Sequence, residues 1–238
     1  MKQIFISDLH LDEGHVKLRS GLFNFLAKHC QDADELYILG DFFEVWLGDD
    51  HDSAFNRSIV EALSQQPGQV FLMHGNRDFL LGEDFCTASG ATMLPDPSTI
   101  ATPLGPALLM HGDSLCTQDE AYMAARSQLR APAFKADFLS RSITDRAAYA
   151  RQLRGESKSH TRETAADIMD VTPQEVIRHM HRAHVQIMIH GHTHRPATHD
   201  LEPDVPGGLR YVLGDWHDTM QYLEITANGA SLERFVLA

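Results

Sequence analysis

The chain has little cysteine. Cys30, Cys86 and Cys116 are the three in 238 residues, and none sits in a CxxC pair. That spacing excludes a disulfide framework and a Cys-rich structural zinc site, and reads as reduced thiols in a cytosolic protein. Long apolar runs are lacking too. No stretch approaches the ~18 apolar residues of a membrane-spanning helix, and Met1-Lys2 leads straight into a strand pattern without a signal-type segment. Any contact with a membrane is therefore expected from its surface. Basic residues are scarce as well, 20 Lys and Arg against 33 Asp and Glu, a net charge of -13. This excludes a general nucleic-acid binder, which needs surplus cations to neutralise phosphates. The scarcity is uneven. From Asp119 to Glu163 there are nine Lys/Arg and six Asp/Glu, so one segment carries a positive field on an acidic body.

What the chain does have is a set of apolar runs that each end on a metal-ligating residue type. Leu36 to Leu39 closes on Gly40-Asp41, where glycine permits a sharp turn after a buried strand. Ile4-Phe5-Ile6 is followed by Asp8-x-His10, and Val70 to Met73 by Gly75-Asn76-Arg77-Asp78. Ala107 to Met110 is followed by His111-Gly112-Asp113, and Val185 to Ile189 by His190-Gly191-His192-Thr193-His194. In open α/β sheets ligands gather beyond the carboxyl ends of strands, so five such ends predict one shared crevice. Mixed nitrogen and oxygen donors without thiolate suit manganese, iron or zinc. Seven side chains, Asp8, His10, Asp41, Asn76, His111, His192 and His194, exceed one tetrahedral ion and suit two sharing a bridge. A carboxylate has two oxygens to share, and Asp41 is the expected bridge.

Between these runs the spacing predicts helices over His15 to Cys30, Ser53 to Gln65 with Ser53 as N-cap, and Gln174 to Ala183. Asp78 to Gly90 reads as helical or mixed, and Ala91 to Met110 as short strands broken by prolines. The first strand, helix and second strand form a βαβ unit, and the alternation argues an α/β fold. The tail predicts antiparallel strands with a hairpin at Asn228-Gly229. From Ser114 to about Pro173 the pattern turns helical, with Phe134, Phe138, Leu139 and Ile143 spread among Arg and Lys. Because this block, about 117–172, lies between two of the ligand-bearing strands, it reads as a helical insertion within one domain spanning 1–238. His74 and His190 precede motif glycines and read as strand-end structural residues. Glu44, Trp46, Asp49 and Asp50 lie close to Asp41 without an evident role.

With DxH at 8–10, GD at 40–41, GNRD at 75–78, His111 and GHTH at 191–194 in that order, the chain resembles the calcineurin-like metallophosphoesterases. The resemblance implies an αββα sandwich holding two metals, one on Asp8, His10, Asp41 and His194, the other on Asp41, Asn76, His111 and His192. Many members have His after GN where this chain has Arg77. A fixed positive charge suits a phosphate leaving group, which points to a P–O–P bond. The wording of SDLHL (7–11), GDFFEVWLGDD (40–50), HGNRDFLLG (74–82), HGDSLCTQDEAY (111–122) and IHGHTHRP (189–196) is similar to the branch of the family that cleaves a lipid-linked UDP-sugar on the route to lipid A. That implies hydrolysis of UDP-2,3-diacylglucosamine at the α-phosphorus, with two Mn(2+) and peripheral association with the cytoplasmic face of the inner membrane. The implied catalytic set is Asp41, Asn76, Arg77 and His111. The implied substrate contacts are Asn76, Arg77, Asp119, Ser157, Thr161, Thr164 and His192, with the insertion covering the acyl chains. Asp78 and Asp113 are expected to hold ligands or loops in place. Neither nucleic acid nor an obligate protein partner is expected. The alternatives are a soluble nucleotide phosphodiesterase or dinucleotide polyphosphatase with the same core, and a metal-bound binding module without turnover, which would need a broken motif.

Overall fold

The computed structural model describes residues 1–163, 168–217 and 219–236, the side chains of 156–163 excepted. In chain order the first part runs β1 (Gln3–Ile6), α1 (Val16–His29), β2 (Glu35–Leu39), α2 (Ala54–Ser64), β3 (Gln69–Met73), α3 (Glu83–Ser89) and β4 (Thr92–Leu94). The hairpin strands β5 (Ser98–Thr102) and β6 (Gly105–Met110) follow, then a helical block of α4 (Glu120–Leu129), α5 (Pro132–Ser140) and α6 (Ile143–Glu163). The chain closes with α7 (Pro173–Ala183), β7 (Ile187–His190), β8 (Ala197–Asp200), β9 (Leu209–Val212), β10 (Thr219–Thr226) and β11 (Gly229–Val236). Two sheets form, one ordered β11-β10-β1-β2-β3-β4 and the other β5-β6-β7-β9-β8.

Strand alternation decides the layering, because successive side chains point to opposite faces of a sheet. In β1 to β3, Ile4, Ile6, Leu36, Ile38, Val70 and Leu72 face α1, α2 and α3, where they pack with Leu22, Phe25, Ile59 and Phe85. Their neighbours Phe5, Tyr37, Leu39 and Met73 face the second sheet, against Ala107, Leu109, Ile187 and Ile189. The outer face of the second sheet, Leu108, Met110 and Met188, packs on Val176 and Met180 of α7. The order is helix, sheet, sheet, helix, and it is the expected αββα sandwich. Each fully buried Leu, Ile or Phe contributes roughly 1.5–3 kcal/mol, so the three apolar layers carry most of the stability.

Local chemistry explains the element ends. Ser53 accepts the Asn56 N–H at 3.0 Å as N-cap of α2, and Gly90 ends α3 in the left-handed conformation (φ 72°). The closing hairpin turns one residue earlier than the Asn-Gly pair suggests. Thr226 pairs with Gly229, so Ala227 and Asn228 form the loop and Gly229 (φ 140°) opens β11. The parallel strands β1, β2 and β3, and β6 and β7 in the other sheet, run so that all five motif-bearing ends emerge on one edge.

Candidate metal centre

The backbone at this edge is unusual. Among the described residues six non-glycines have positive φ, and five are expected ligands: Asp8 (55°), His10 (50°), Asp41 (49°), His192 (68°) and His194 (54°). The sixth, His184, caps α7. Left-handed conformations cost of order 1–3 kcal/mol each, and Asp and His are among the residue types that tolerate them best. They turn the chain abruptly at the strand ends, so that side chains from both sheets face one another.

The motif glycines provide room for that approach. A Cβ at Gly191 would lie 2.2 Å from Asp8 Oδ2 and 2.3 Å from Ser7 Oγ, and one at Gly40 would lie 2.6 Å from His111 Nδ1. The loops are held by buried carboxylates. Asp78 accepts the N–H groups of Phe42 (2.8 Å), Phe43 (3.3 Å) and Gly75 (2.8 Å), tying the exits of β2 and β3 together. Burial raises the pKa of its carboxyl, helped by the nearby Asp41. Asp113 anchors α4 instead of a ligand. It accepts from Tyr122 Oη (2.8 Å) and Arg126 Nε (2.7 Å), with Arg130 at 3.3 Å.

Among the described residues two groups of donor atoms result, Asp8, His10 and His194 in one and Asp8, Asp41 and His111 in the other. Asp8 belongs to both, so the geometry gives it a share in the second group as well as the expected first. His111 Nδ1 lies 2.9 Å from the Leu39 carbonyl, to which it donates, leaving Nε2 facing Asn76 Oδ1 at 3.0 Å and Asp41 Oδ1 at 3.7 Å. Asp41 Oδ1 also accepts the Arg77 backbone N–H at 2.7 Å. His10 Nε2 and His194 Nε2 stand 3.3 Å apart. The His192 ring lies edge-on to His111 at 5.1 Å, outside both donor groups, while its backbone N–H donates to Asp8 Oδ2 at 2.8 Å.

The electrostatics fit a cation between these groups. Asp8 Oδ1 is buried with no hydrogen bond, although His194 Nε2 is 3.3 Å away. Burial would raise the Asp8 pKa, but the imidazoles of His194, His111 and His10 outweigh it and hold the carboxyl well below the carboxylate range. Burial likewise pushes His111 down, yet Asp41, Asp8 and Asp113 lift it to about 9. His194 rises to about 10 against burial, through Asp215 and Asp8. Burial, then the neighbouring His111, takes His192 down to about 4. Carboxylates and imidazoles from two sheets converge on one point, and that nitrogen and oxygen set suits a divalent ion of the manganese, iron or zinc type.

Beside the cluster opens a cavity of about 330 Å³. Asn76, Arg77, Glu44 and Arg154 line its polar end, and Trp46, Phe79, Leu80, Leu129, Phe134 and Phe138 its apolar wall. Among the described residues Arg77 Nε is buried without a hydrogen-bond partner, and Asp78 is occupied by backbone N–H groups, so the two residues are not a salt bridge. Leu139 and Ile143 do not line this cavity. Leu139 packs its Cδ2 beside Gly48 and is 38% exposed. Asp119 is buried and caps α4, accepting the Tyr122 N–H at 2.9 Å. The side chains of Ser157 and Thr161, and the whole of Thr164, lie outside the described residues.

Sequence reasoning left four residues near Asp41 without a role, and long-range contacts supply them. Glu44 reaches His10 and Arg154. Asp49 accepts Trp46 Nε1 (2.8 Å) and the N–H groups of Gly82 and Phe85 (3.0 Å each), fixing Trp46 in the cavity wall. Asp50 pairs with Arg146. Asp215, which sits 3.4 Å from His194 Nδ1, was marked by no motif. His74 Nε2 donates to the Leu81 carbonyl oxygen (2.7 Å), and His190 Nε2 lies 3.0 Å from Arg210 Nη1, both structural contacts.

A two-sheet sandwich with a strand-end cluster of Asp, Asn and His defines a class of protein. The chain belongs to the calcineurin-like phosphoesterase family, whose pattern matches residues 1–196. Among individual proteins, it is 50% identical over 232 residues to the UDP-2,3-diacylglucosamine hydrolase of Pseudomonas aeruginosa (strain UCBPP-PA14), covering 96% of this chain and 97% of the relative. It is 46% identical to the protein of that name from Marinobacter nauticus (96% and 95% covered) and 46% identical to the one from Stutzerimonas stutzeri (99% of each). Among solved structures, an archaeal phosphodiesterase superposes with a TM-score of 0.51 at 14% identity over 100% of both chains. Vps29 from Cryptosporidium parvum superposes with 0.52 at 13% identity, covering 99% of this chain and 97% of that one. These two likenesses concern the fold alone.

Proposed function

We propose that the protein hydrolyses the pyrophosphate bond of UDP-2,3-diacylglucosamine at the α-phosphorus, giving UMP and 2,3-diacylglucosamine 1-phosphate, a step of lipid A synthesis. One observation carries this reading: a cavity that shares Asn76 with the cluster is polar at Asn76, Arg77, Glu44 and Arg154 and apolar along Phe79, Leu80, Phe134 and Phe138. A substrate with a pyrophosphate at one end and acyl chains at the other matches that division. Full-length relatives of the same name at 46–50% identity support it.

In this reading Asp8, His10, Asp41 and His194 would hold one Mn(2+), and Asp41, Asn76, His111 and His192 would hold a second. Bound there, the two ions would make water acidic enough to ionise near neutral pH and would offset charge on the phosphoryl oxygens. The chain's own residues orient the reaction. Leu39 holds the His111 proton at Nδ1, and Asp78 fixes the loops that present Asp41 and Asn76. Arg77, whose Nε lacks a protein partner, supplies a fixed charge to the departing phosphate and aligns it in a planar, two-point manner. The apolar wall keeps bulk water from the polar end, which strengthens each of these contacts. Asp119, Ser157, Thr161 and Thr164 are proposed as further substrate contacts. The block at about 117–172 acts as a helical insertion of a single domain.

Location follows from chemistry. Among the described residues no helix is long and apolar enough to cross a membrane, and the helical segment is the basic part of an acidic chain. We place the protein peripherally on the cytoplasmic face of the inner membrane. The deciding experiment is turnover of UDP-2,3-diacylglucosamine in detergent micelles by the manganese-loaded protein in oxygen-18 water. UMP carrying the label is the expected product. Hydrolysis of a soluble dinucleotide without turnover of the lipid-linked sugar would overturn the substrate and leave the centre standing.

A further inference from the structure

Glu44 belongs to no strand-end motif, yet its carboxylate joins two distant parts of the chain. Oε2 lies 2.9 Å from Nδ1 of His10, within reach but off the line of a hydrogen bond, and Oε1 pairs with the guanidinium of Arg154 on α6. The far side of the same ring faces the cluster, with His10 Nε2 3.9 Å from Asp41 Oδ2 and 3.3 Å from His194 Nε2. A neutral imidazole carries its proton on either nitrogen, and only the unprotonated one can ligate. A carboxylate at Nδ1 settles the choice, because it accepts that proton and raises the electron density at Nε2.

We propose that Glu44 is a positioning residue of the metal centre, its carboxylate standing within reach of the His10 Nδ1 proton and favouring that nitrogen for it, so that Nε2 faces Asp41 and His194, while Arg154 holds the carboxylate in place. This rests on the reading of the cluster as a metal centre. His111 obtains the same service from a backbone carbonyl, that of Leu39, and His194 faces Asp215 at 3.4 Å. Glu44 differs from both because its second partner sits on the helical block. Glu44 and Arg154 also line the cavity, so the placement of α6 above the substrate space is coupled to the aim of one ligand. A charge-assisted pair of this kind restrains both side chains more than a neutral hydrogen bond would.

The test is manganese(II) titration calorimetry on the metal-free full chain, with circular dichroism and thermal unfolding as the fold control. Glu44→Ala is expected to weaken manganese binding by roughly 10- to 100-fold at an unchanged unfolding temperature. Glu44→Gln, which keeps an oxygen to accept the Nδ1 proton and the same shape, is expected to lose less, and it stands in if the alanine variant misfolds. Arg154→Met is expected to lose less than Glu44→Ala, and the double variant no more than Glu44→Ala alone, since both act through one carboxylate. Wild-type manganese affinity in both Glu44 variants overturns the proposal, and fully additive losses overturn the coupling to Arg154. A wild-type chain that binds no manganese overturns the metal centre itself and this inference with it.

Discussion

A Cβ at position 75 would lie 2.1 Å from both the backbone nitrogen and the carboxylate Oδ1 of Asp41. Gly75 and Asp41 come from different strands, and this pair sets how closely the exits of β2 and β3 approach. Gly75→Ala therefore has to displace Asp41. Misplacing a reacting group by about 1 Å costs ~10²-fold, and a loss of that order in kcat/KM is expected, with less metal retained. Steady-state kinetics and elemental analysis check it. Wild-type values for both would mean that Asp41 tolerates displacement and is not central to the chemistry.

Arg77 has no carboxylate partner among the described residues and faces the cavity. Arg77→Ala should lower kcat by ~10²–10³, the usual cost of removing one preorganised donor, with metal content intact. Loss of metal in this variant would show that the side chain supports the ligand set instead.

Arg146 pins the helical block to the loop after β2. It is 4% exposed, donates to Asp50 (2.5 and 2.9 Å), Leu47 O (2.9 Å) and Arg141 O (2.9 Å), and also reaches Leu139 O. Arg146→Met takes the donor from the buried Leu47 carbonyl and from the part-buried Arg141 and Leu139 carbonyls. A loss of at least about 2 kcal/mol is expected from denaturant unfolding, or roughly 4–8 °C in Tm. An unchanged midpoint would mean that the block unfolds separately from the sandwich.

Protonation opposes metal binding here. Burial lowers both imidazoles, but carboxylates prevail, leaving His111 at about 9 and His194 at about 10 in the metal-free chain. Both are cations near neutral pH, so binding should release two protons and strengthen as pH rises towards those values. Calorimetry in buffers of different ionisation enthalpy counts the protons. Stability of the metal-free chain runs the other way. Both folded pKa values exceed the unfolded value of about 6.5, so this contribution is complete below that pH and is lost as pH rises through about 9 and 10. Denaturant midpoints that rise with pH across that window would contradict these protonation states.

Much of the frame was legible. β1, β2 and β3 read as continuous apolar runs because both faces are buried, Ile4 and Ile38 against the helices and Phe5, Tyr37 and Leu39 against the second sheet. Ser53 marks the start of α2 through its own side chain. The hairpin loop moved by one residue because Gly229, with its positive φ, serves in the strand rather than in the turn. Leu139 joined the apolar stripe of the helical block on spacing alone, and the structure turns it towards Gly48.

The sequence by itself determined which residue types stand at the five strand ends, since each ligand follows its own apolar run and the run dictates a buried strand. It also determined the α/β class, because hydrophobic period is a local property, and its motifs carried the resemblance that implied the αββα sandwich. Only the tertiary structure decided how those ends meet. The share of Asp8 in both donor groups, the edge-on His192, the link from His10 through Glu44 to Arg154 and the anchoring of Arg146 at Asp50 all join residues far apart in the chain. Their geometry depends on sheet register and on left-handed turns that pattern and propensity do not encode, so it appears only once both sheets have packed.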